Sequence, residues 1–172
     1  MANNIEIKAR VQNIEALRVR AEALSDTPCQ VIPQEDTFFF TSQGRLKLRQ
    51  LAPDHAQLVY YLREDSHGPK HSEYHIFETD KPDVLKGILA AAYGVRGVVR
   101  KVRYLYLAGQ TRIHLDEVEG LGQFMELEVV MRPEQSTVEG EAIAQDLMDR
   151  LGIRSEDLID VAYMDLLEKP GD

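Results

Sequence analysis

The stretch "NIEIKAR" at positions 4 to 10 alternates apolar Ile5, Ile7 and Ala9 with polar Asn4, Glu6, Lys8 and Arg10. A period of two puts the two sets on opposite faces of a strand, so that a carboxylate and a cation share one face. The split recurs along the chain. In "GRLKLR", Arg45, Lys47 and Arg49 oppose Leu46 and Leu48. In "VRKVRYLYL", Lys101 and Arg103 share a face, and in "TRIHLDEV" Arg112, His114 and Asp116 do so. In "FMELEVV", Glu126 and Glu128 oppose Met125, Leu127 and Val129, while Arg63 closes the strand "LVYYLR". One strand of this kind is the ordinary outer face of a soluble sheet. A whole series, with acids gathered in some strands and bases in others, points to a shared polar compartment.

That compartment would have definite chemistry. Arginine binds phosphate through two parallel hydrogen bonds, and lysine acts as a point charge. Clustered carboxylates call for a hard divalent cation, Mg²⁺ or Mn²⁺, of the kind that bridges to substrate phosphates. Acids and bases lining one tunnel therefore describe a polyphosphate bound with a metal. Two arrangements satisfy the alternation: a closed barrel with a charged lumen, or an open sheet with its charged face in solvent and helices packed behind it.

The elements that must position these residues are legible. "NIEALRVRAEAL" has Ile14, Leu17, Ala21 and Leu24 on one helical face with Asn13 as its cap. "DTFFFTSQGRLKLRQL" reads as two strands around a turn at Ser42 to Gly44. "AQLVYYLRED" and "SEYHIFET" are strands on either side of the polar break "HGPKH". "KPDVLKGILAAAYG" is a helix, with Pro82 in its first turn and Gly94 at its end. Two strands around a turn at Ala108 to Gln110, the "GLG" turn and "QFMELEVVM" follow. The chain then reads as a helix closed by Gly152, a short helix and a tail. Many antiparallel strands with few helices predict an α+β fold in a single domain over residues 1–172, and the number of strands points to a closed or nearly closed barrel.

Bulk properties narrow the class. The 172 residues suffice for one domain with a good core. A net charge of −9 and a pI near 5.1 argue against a protein held to nucleic acid by its backbone charge. The lone Cys29 forms no internal disulfide and suits a reducing compartment. The N-terminal residues carry no apolar signal core, and no apolar run is long enough to span a membrane, so a cytoplasmic location is expected.

With these motifs in place, the chain resembles the CYTH superfamily, the triphosphate tunnel metalloenzymes. That group includes class IV adenylate cyclases, thiamine triphosphatases and inorganic tripolyphosphatases. The family signature E-x-E-x-K corresponds here to Asn4-Ile5-Glu6-Ile7-Lys8, with Asn4 in place of the first acid. The likeness continues through "GRLKLR", through "RKVRYLYLAGQTRIHLDEVEGLGQFMELEVV", and to "AYMDLL" near the end, covering about positions 4 to 167. The resemblance implies an eight-stranded antiparallel β-barrel, the triphosphate tunnel, with helices packed outside, and metal-binding acids at Glu6, Glu126 and Glu128, with Asp116 as a fourth. It implies triphosphate-binding cations at Lys8, Lys47, Arg49, Arg63, Lys101, Arg103 and Arg112, and catalytic roles for Glu6, Lys8, Arg112 and Asp116. It implies Mg²⁺ or Mn²⁺ as cofactor and ATP, tripolyphosphate or thiamine triphosphate as substrate. No nucleic-acid or membrane partner is expected, and a homodimer is compatible. A cyclase reaction is the favoured expectation, with a phosphohydrolase or a non-catalytic polyphosphate-binding protein as alternatives.

The remaining residues are read more simply. His114 is expected to be a hydrogen-bonded structural histidine. "TFFF" and "YLYL" are expected to be barrel packing. Tyr163 and Asp165 are expected to dock the tail, with closure of a tunnel mouth as the other reading.

Overall fold

The structure, a computed structural model, describes residues 2–63 and 68–168; the side chains of Ala2 and Arg63 lie outside the described set. The strands are β1 (Ala2–Arg10), β2 (Gln30–Phe39), β3 (Arg45–Ala52), β4 (His55–Arg63), β5 (Lys70–Thr79), β6 (Val95–Ala108), β7 (Thr111–Val118) and β8 (Gly122–Val130). They close into an antiparallel barrel in the order β1-β5-β4-β3-β2-β6-β7-β8. The helices are α1 (Ile14–Leu24), α2 (Pro82–Tyr93), α3 (Thr137–Leu151) and α4 (Tyr163–Glu168). This is the α+β barrel that the alternation predicts, and closure decides against the open sheet. Among the described residues, no helix is long and apolar enough to cross a membrane.

The alternation sorts side chains between an outer apolar layer and the lumen. Ile7, Ala9, Ile113, Leu115, Met125 and Leu127 point outward and pack with Ile14, Leu17 and Ala21 of α1 and with Leu147, Met148 and Leu151 of α3. Gly140 lets α3 approach β1 closely, because a Cβ there would collide with Met131 and Ile5. Leu89 of α2 packs on Phe39, Leu48 and Ala56. Asn13 caps α1 through its side chain, and Ser136 and Glu139 form a reciprocal capping box on α3.

Two strands differ from the sequence reading. β2 begins at Gln30, six residues before "DTFFF", and contains Pro33. It pairs with β6 along its whole length, from Gln30 to Phe39, whereas its pairing with β3 runs only from Glu35 to Phe39. Pro33, which has no N–H to donate, therefore sits where one side of the strand is unpaired. β5 begins at Lys70, within the stretch read as a polar break, because Lys70 is paired with Glu6 of β1.

Candidate active site in the barrel lumen

On β1 the inward residues are Asn4, Glu6 and Lys8, all buried. Antiparallel pairing sets Glu6 opposite Glu128 and Lys8 opposite Glu126 on β8. Glu6, Lys8, Lys47, Arg49, Lys101, Arg103 and Glu126 all line one enclosed cavity of about 40 Å³. That leaves little open space, so the lumen is largely filled by its own side chains.

Two carboxylate–guanidinium forks organise the filling. Arg49 donates to both oxygens of Asp36, at 2.8 and 2.7 Å. Arg103 donates to both oxygens of Asp116, each at 2.8 Å. Lys101 stands between the forks, with its Nζ 3.9 Å from Asp36 and 3.8 Å from Asp116. Lys47 adds a further contact to Asp36 at 3.4 Å. Burial, then Arg103, pushes Lys101 down to about 7, and burial, then Arg49, pushes Lys47 down to about 8. Burial opposes the charge on Asp116, but Arg103 and Lys101 hold its carboxyl at about 2.

The remaining acids are arranged differently. Glu6 accepts hydrogen bonds from the hydroxyls of Ser72, at 2.9 Å, and of Tyr74. Burial would raise Glu126, but Lys8 at 3.4 Å, His114 and Arg103 keep it well below the usual range. Burial first and Glu6 second push Glu128 up to about 6. Asn4 Oδ1 is buried without a hydrogen-bond partner among the described residues. Among those residues, no three of the His, Cys, Asp and Glu side chains form a group that could hold a metal.

Several expected site residues are placed differently from the rest. Arg112 shares the inward face of β7 but is exposed at the barrel rim and does not line the cavity. Asp116 has no exposed surface, and its oxygens are taken up by Arg103 and by the Tyr163 hydroxyl at 2.9 Å. Both of its oxygens are thus engaged by protein groups. The side chain of Arg63 lies outside the described residues. His114 is buried, but its Nδ1 stands 3.9 Å from Glu126 and has no hydrogen bond among the described residues; burial, then Arg103, lowers it to about 4. In "TFFF", Phe38 and Phe39 are buried while Phe40 is 55% exposed, and in "YLYL" Tyr106 is fully buried.

Sequence reasoning missed Asp36, Ser72 and Tyr74. Asp36 had a signal: it lies two residues before Phe38 on the same face of the strand that carries "FFF", and a buried charge must find partners. Ser72 and Tyr74 gave no sign in an unremarkable strand.

A larger hollow of about 920 Å³ is lined by Pro33, Glu35, Ala52, Arg100, Val102 and Glu117, among others. Glu35 and Arg100 in it pair with each other at 3.0 Å, and Lys101 lines both this hollow and the lumen cavity.

A profile of the CYTH domain matches residues 2–163. The chain belongs to the CYTH family. This CYTH domain is 26% identical over 175 residues to the adenylate cyclase CyaB of Aeromonas hydrophila, covering 96% of this chain and 88% of that one. It resembles the structure of the PH1012 protein from Pyrococcus horikoshii OT3 with a TM-score of 0.83 at 28% identity, over 95% and 98% of the two chains. It shares the fold of the Hippeastrum protein HpAC1, which has a dominant triphosphatase activity; the TM-score is 0.68 at 20% identity, over 95% and 94% of the two chains.

Proposed function

We propose that this CYTH protein is a divalent-metal-dependent enzyme acting on a triphosphate-bearing small molecule in the barrel lumen. The observation that carries the reading is the gathering of five cations, Lys8, Lys47, Arg49, Lys101 and Arg103, with Glu6 and Glu126 around one cavity. Phosphate oxygens take the places at Arg49 and Arg103 that Asp36 and Asp116 occupy in the free lumen. Lys101, which touches both carboxylates, then bridges neighbouring phosphates. Arg112 meets the ligand at the rim.

The acids fit a hard cation. Glu6 and Glu128 are cross-strand neighbours whose mutual repulsion a cation relieves, and Asn4 offers a buried oxygen without a partner on the same face. Glu6, Glu128 and the Asn4 carbonyl would hold Mg²⁺ or Mn²⁺, with Glu126 adjacent. Once bound, the ion supplies positive charge to the phosphate oxygens.

Within this class the favoured reaction is conversion of ATP to cyclic AMP and pyrophosphate. It is supported by the similarity to an adenylate cyclase along 96% of the chain. The ribose 3′-oxygen bonds to the α-phosphorus, pyrophosphate departs with the electrons of the broken bond, and the hydroxyl proton passes to solvent. Guanidinium and ammonium groups already held in place stabilise the charge that moves onto pyrophosphate. Hydrolysis of tripolyphosphate or thiamine triphosphate is the second reading, favoured by the activity of the Hippeastrum protein on the same fold. Incubation with ATP, thiamine triphosphate and tripolyphosphate plus Mg²⁺ or Mn²⁺ separates them. Cyclic AMP supports the first and orthophosphate the second, and absence of turnover with any substrate would overturn the enzyme reading.

A further inference from the structure

The outer wall of the barrel carries a hollow that the lumen chemistry leaves unused. α1 and α3 cover the wall at Tyr106 and Leu115, and α2 covers it at Phe39 and Leu48. Between them the wall is uncovered: Pro33 and Glu117 are exposed and Val102 is half-buried. Antiparallel pairing sets Pro33 of β2 beside Val102 of β6, Val102 beside Glu117 of β7, and Glu117 beside Gln123 of β8. All four line the hollow of about 920 Å³, as do Ala52 and Pro53 where β3 ends. A volume of this order accommodates a small organic molecule, and an apolar floor with few polar groups is the usual make-up of such a site.

The polar groups of the hollow are unevenly matched. Glu35 meets two cations, Arg100 at 3.0 Å and Lys86 at 3.5 Å. Lys101 also lines the hollow, but its ammonium lies inside the lumen against Asp36 and Asp116. Gln50 donates its amide to the Ala52 carbonyl at 3.3 Å, and Gln123 Oε1 accepts the Ile14 N–H at 3.1 Å. Glu117 and Glu119 are exposed and have no ion-pair partner among the described residues. The charges left over are therefore two carboxylates beside an apolar floor.

We propose that this hollow is a second small-molecule site, separate from the lumen, and that its ligand is an organic cation. A flat apolar body rests against Pro33, Ala52 and Val102, and an ammonium group faces Glu117 and Glu119. Burial of the apolar body supplies most of the affinity. The carboxylates are exposed to water, so they add modestly to affinity and act chiefly to choose the sign of the ligand's charge. The site stands whether or not the lumen takes a triphosphate. On β6, Arg100 and Val102 belong to the hollow, while the charged ends of Lys101 and Arg103 belong to the lumen. The two compartments thus lie on opposite faces of one strand, with opposite preferences for charge, and both can be filled at once.

Tryptamine and indole-3-propionate test this, because they share one flat ring system and differ in the sign of their charge. Each is titrated into the isotope-labelled full chain and followed by amide NMR shifts. Tryptamine should shift the amides of Glu35, Val102 and Glu117 saturably, with an affinity at least about tenfold higher than that of indole-3-propionate. The double variant Glu117→Gln/Glu119→Gln alters only exposed side chains and should bring the two affinities within about threefold of each other. Ala52→Phe should weaken both probes by about tenfold or more by filling the hollow, with circular dichroism reporting its fold. Shifts that never saturate, shifts centred on lumen residues such as Glu126, or equal affinity for the two probes would overturn the proposal. A charge preference undiminished in the double variant would do the same.

Discussion

Glu6 and Glu128 stand directly opposite one another across the β1–β8 ladder, with both carboxylates turned into the lumen. Ser72 and Tyr74 fix the orientation of Glu6, while burial and the Glu6 charge push Glu128 up to about 6. Two acids so placed repel unless a proton or a cation lies between them. Glu128→Gln should therefore leave the metal-free protein at least as stable as the wild type, yet weaken Mn²⁺ binding by about tenfold or more. Calorimetric titration and thermal melts measure the two effects, and an unchanged Mn²⁺ affinity would remove Glu128 from the cation site.

Asn4 stands where the family signature carries an acid, and its buried oxygen has no hydrogen-bond partner among the described residues. Asn4→Glu adds a charge two positions from Glu6 on the same face. Tighter Mn²⁺ binding or a second bound ion is expected, together with a steeper dependence of turnover on metal concentration. If titration gives the same stoichiometry and affinity for both proteins, Asn4 does not face the cation.

The Arg103–Asp116 fork is buried, with side-chain exposures of 5% and 0%. Arg103→Ala would leave Asp116 charged and without its principal partner, a change that costs about 3–5 kcal/mol in comparable buried pairs. Arg103→Lys keeps a charge but cannot reproduce the fork, so it should fall between wild type and alanine. Urea denaturation ranks the three proteins, and equal midpoints would show that the fork adds nothing to stability.

Lys101, at about 7, lies below its ordinary value, as does Lys47, at about 8. Between those values and the ordinary lysine range the unfolded chain binds more protons than the folded one, so stability attributable to these groups rises with pH across that window. A triphosphate in the lumen favours the ammonium forms. Binding at pH 8 should therefore take up protons, and much less at pH 6, where both lysines are already charged. Titration calorimetry in buffers of different ionisation enthalpy detects the uptake. Lys101→Met should remove most of it, and uptake undiminished in that variant would assign the protons elsewhere.

The alternation of Glu6 and Lys8, of Lys47 and Arg49, and of Glu126 and Glu128 was enough to reveal which face of each strand is charged, because strand geometry leaves a side chain only two directions. Barrel closure made those faces a single lumen. The positions of Arg112 and Asp116 could not be read this way. Both share the inward face of β7, yet one reaches solvent and the other is locked beneath Tyr163. Depth along the barrel axis depends on strand tilt and on what fills each end, neither of which periodicity encodes. Tyr163 was equally opaque, since its partners Lys8, Lys101 and Asp116 are far from it in the sequence.

Asp36 and Asp116 give the tunnel counter-charges of its own. On the triphosphate reading, an entering anion would compete with these tethered carboxylates for Arg49 and Arg103, which would make the lumen an ion exchanger that selects by valence. Chloride or acetate offers one charge in return for one and gains little against an acid already fixed in place. A triphosphate brings enough negative oxygens to draw Arg49, Arg103, Lys47 and Lys101 away together.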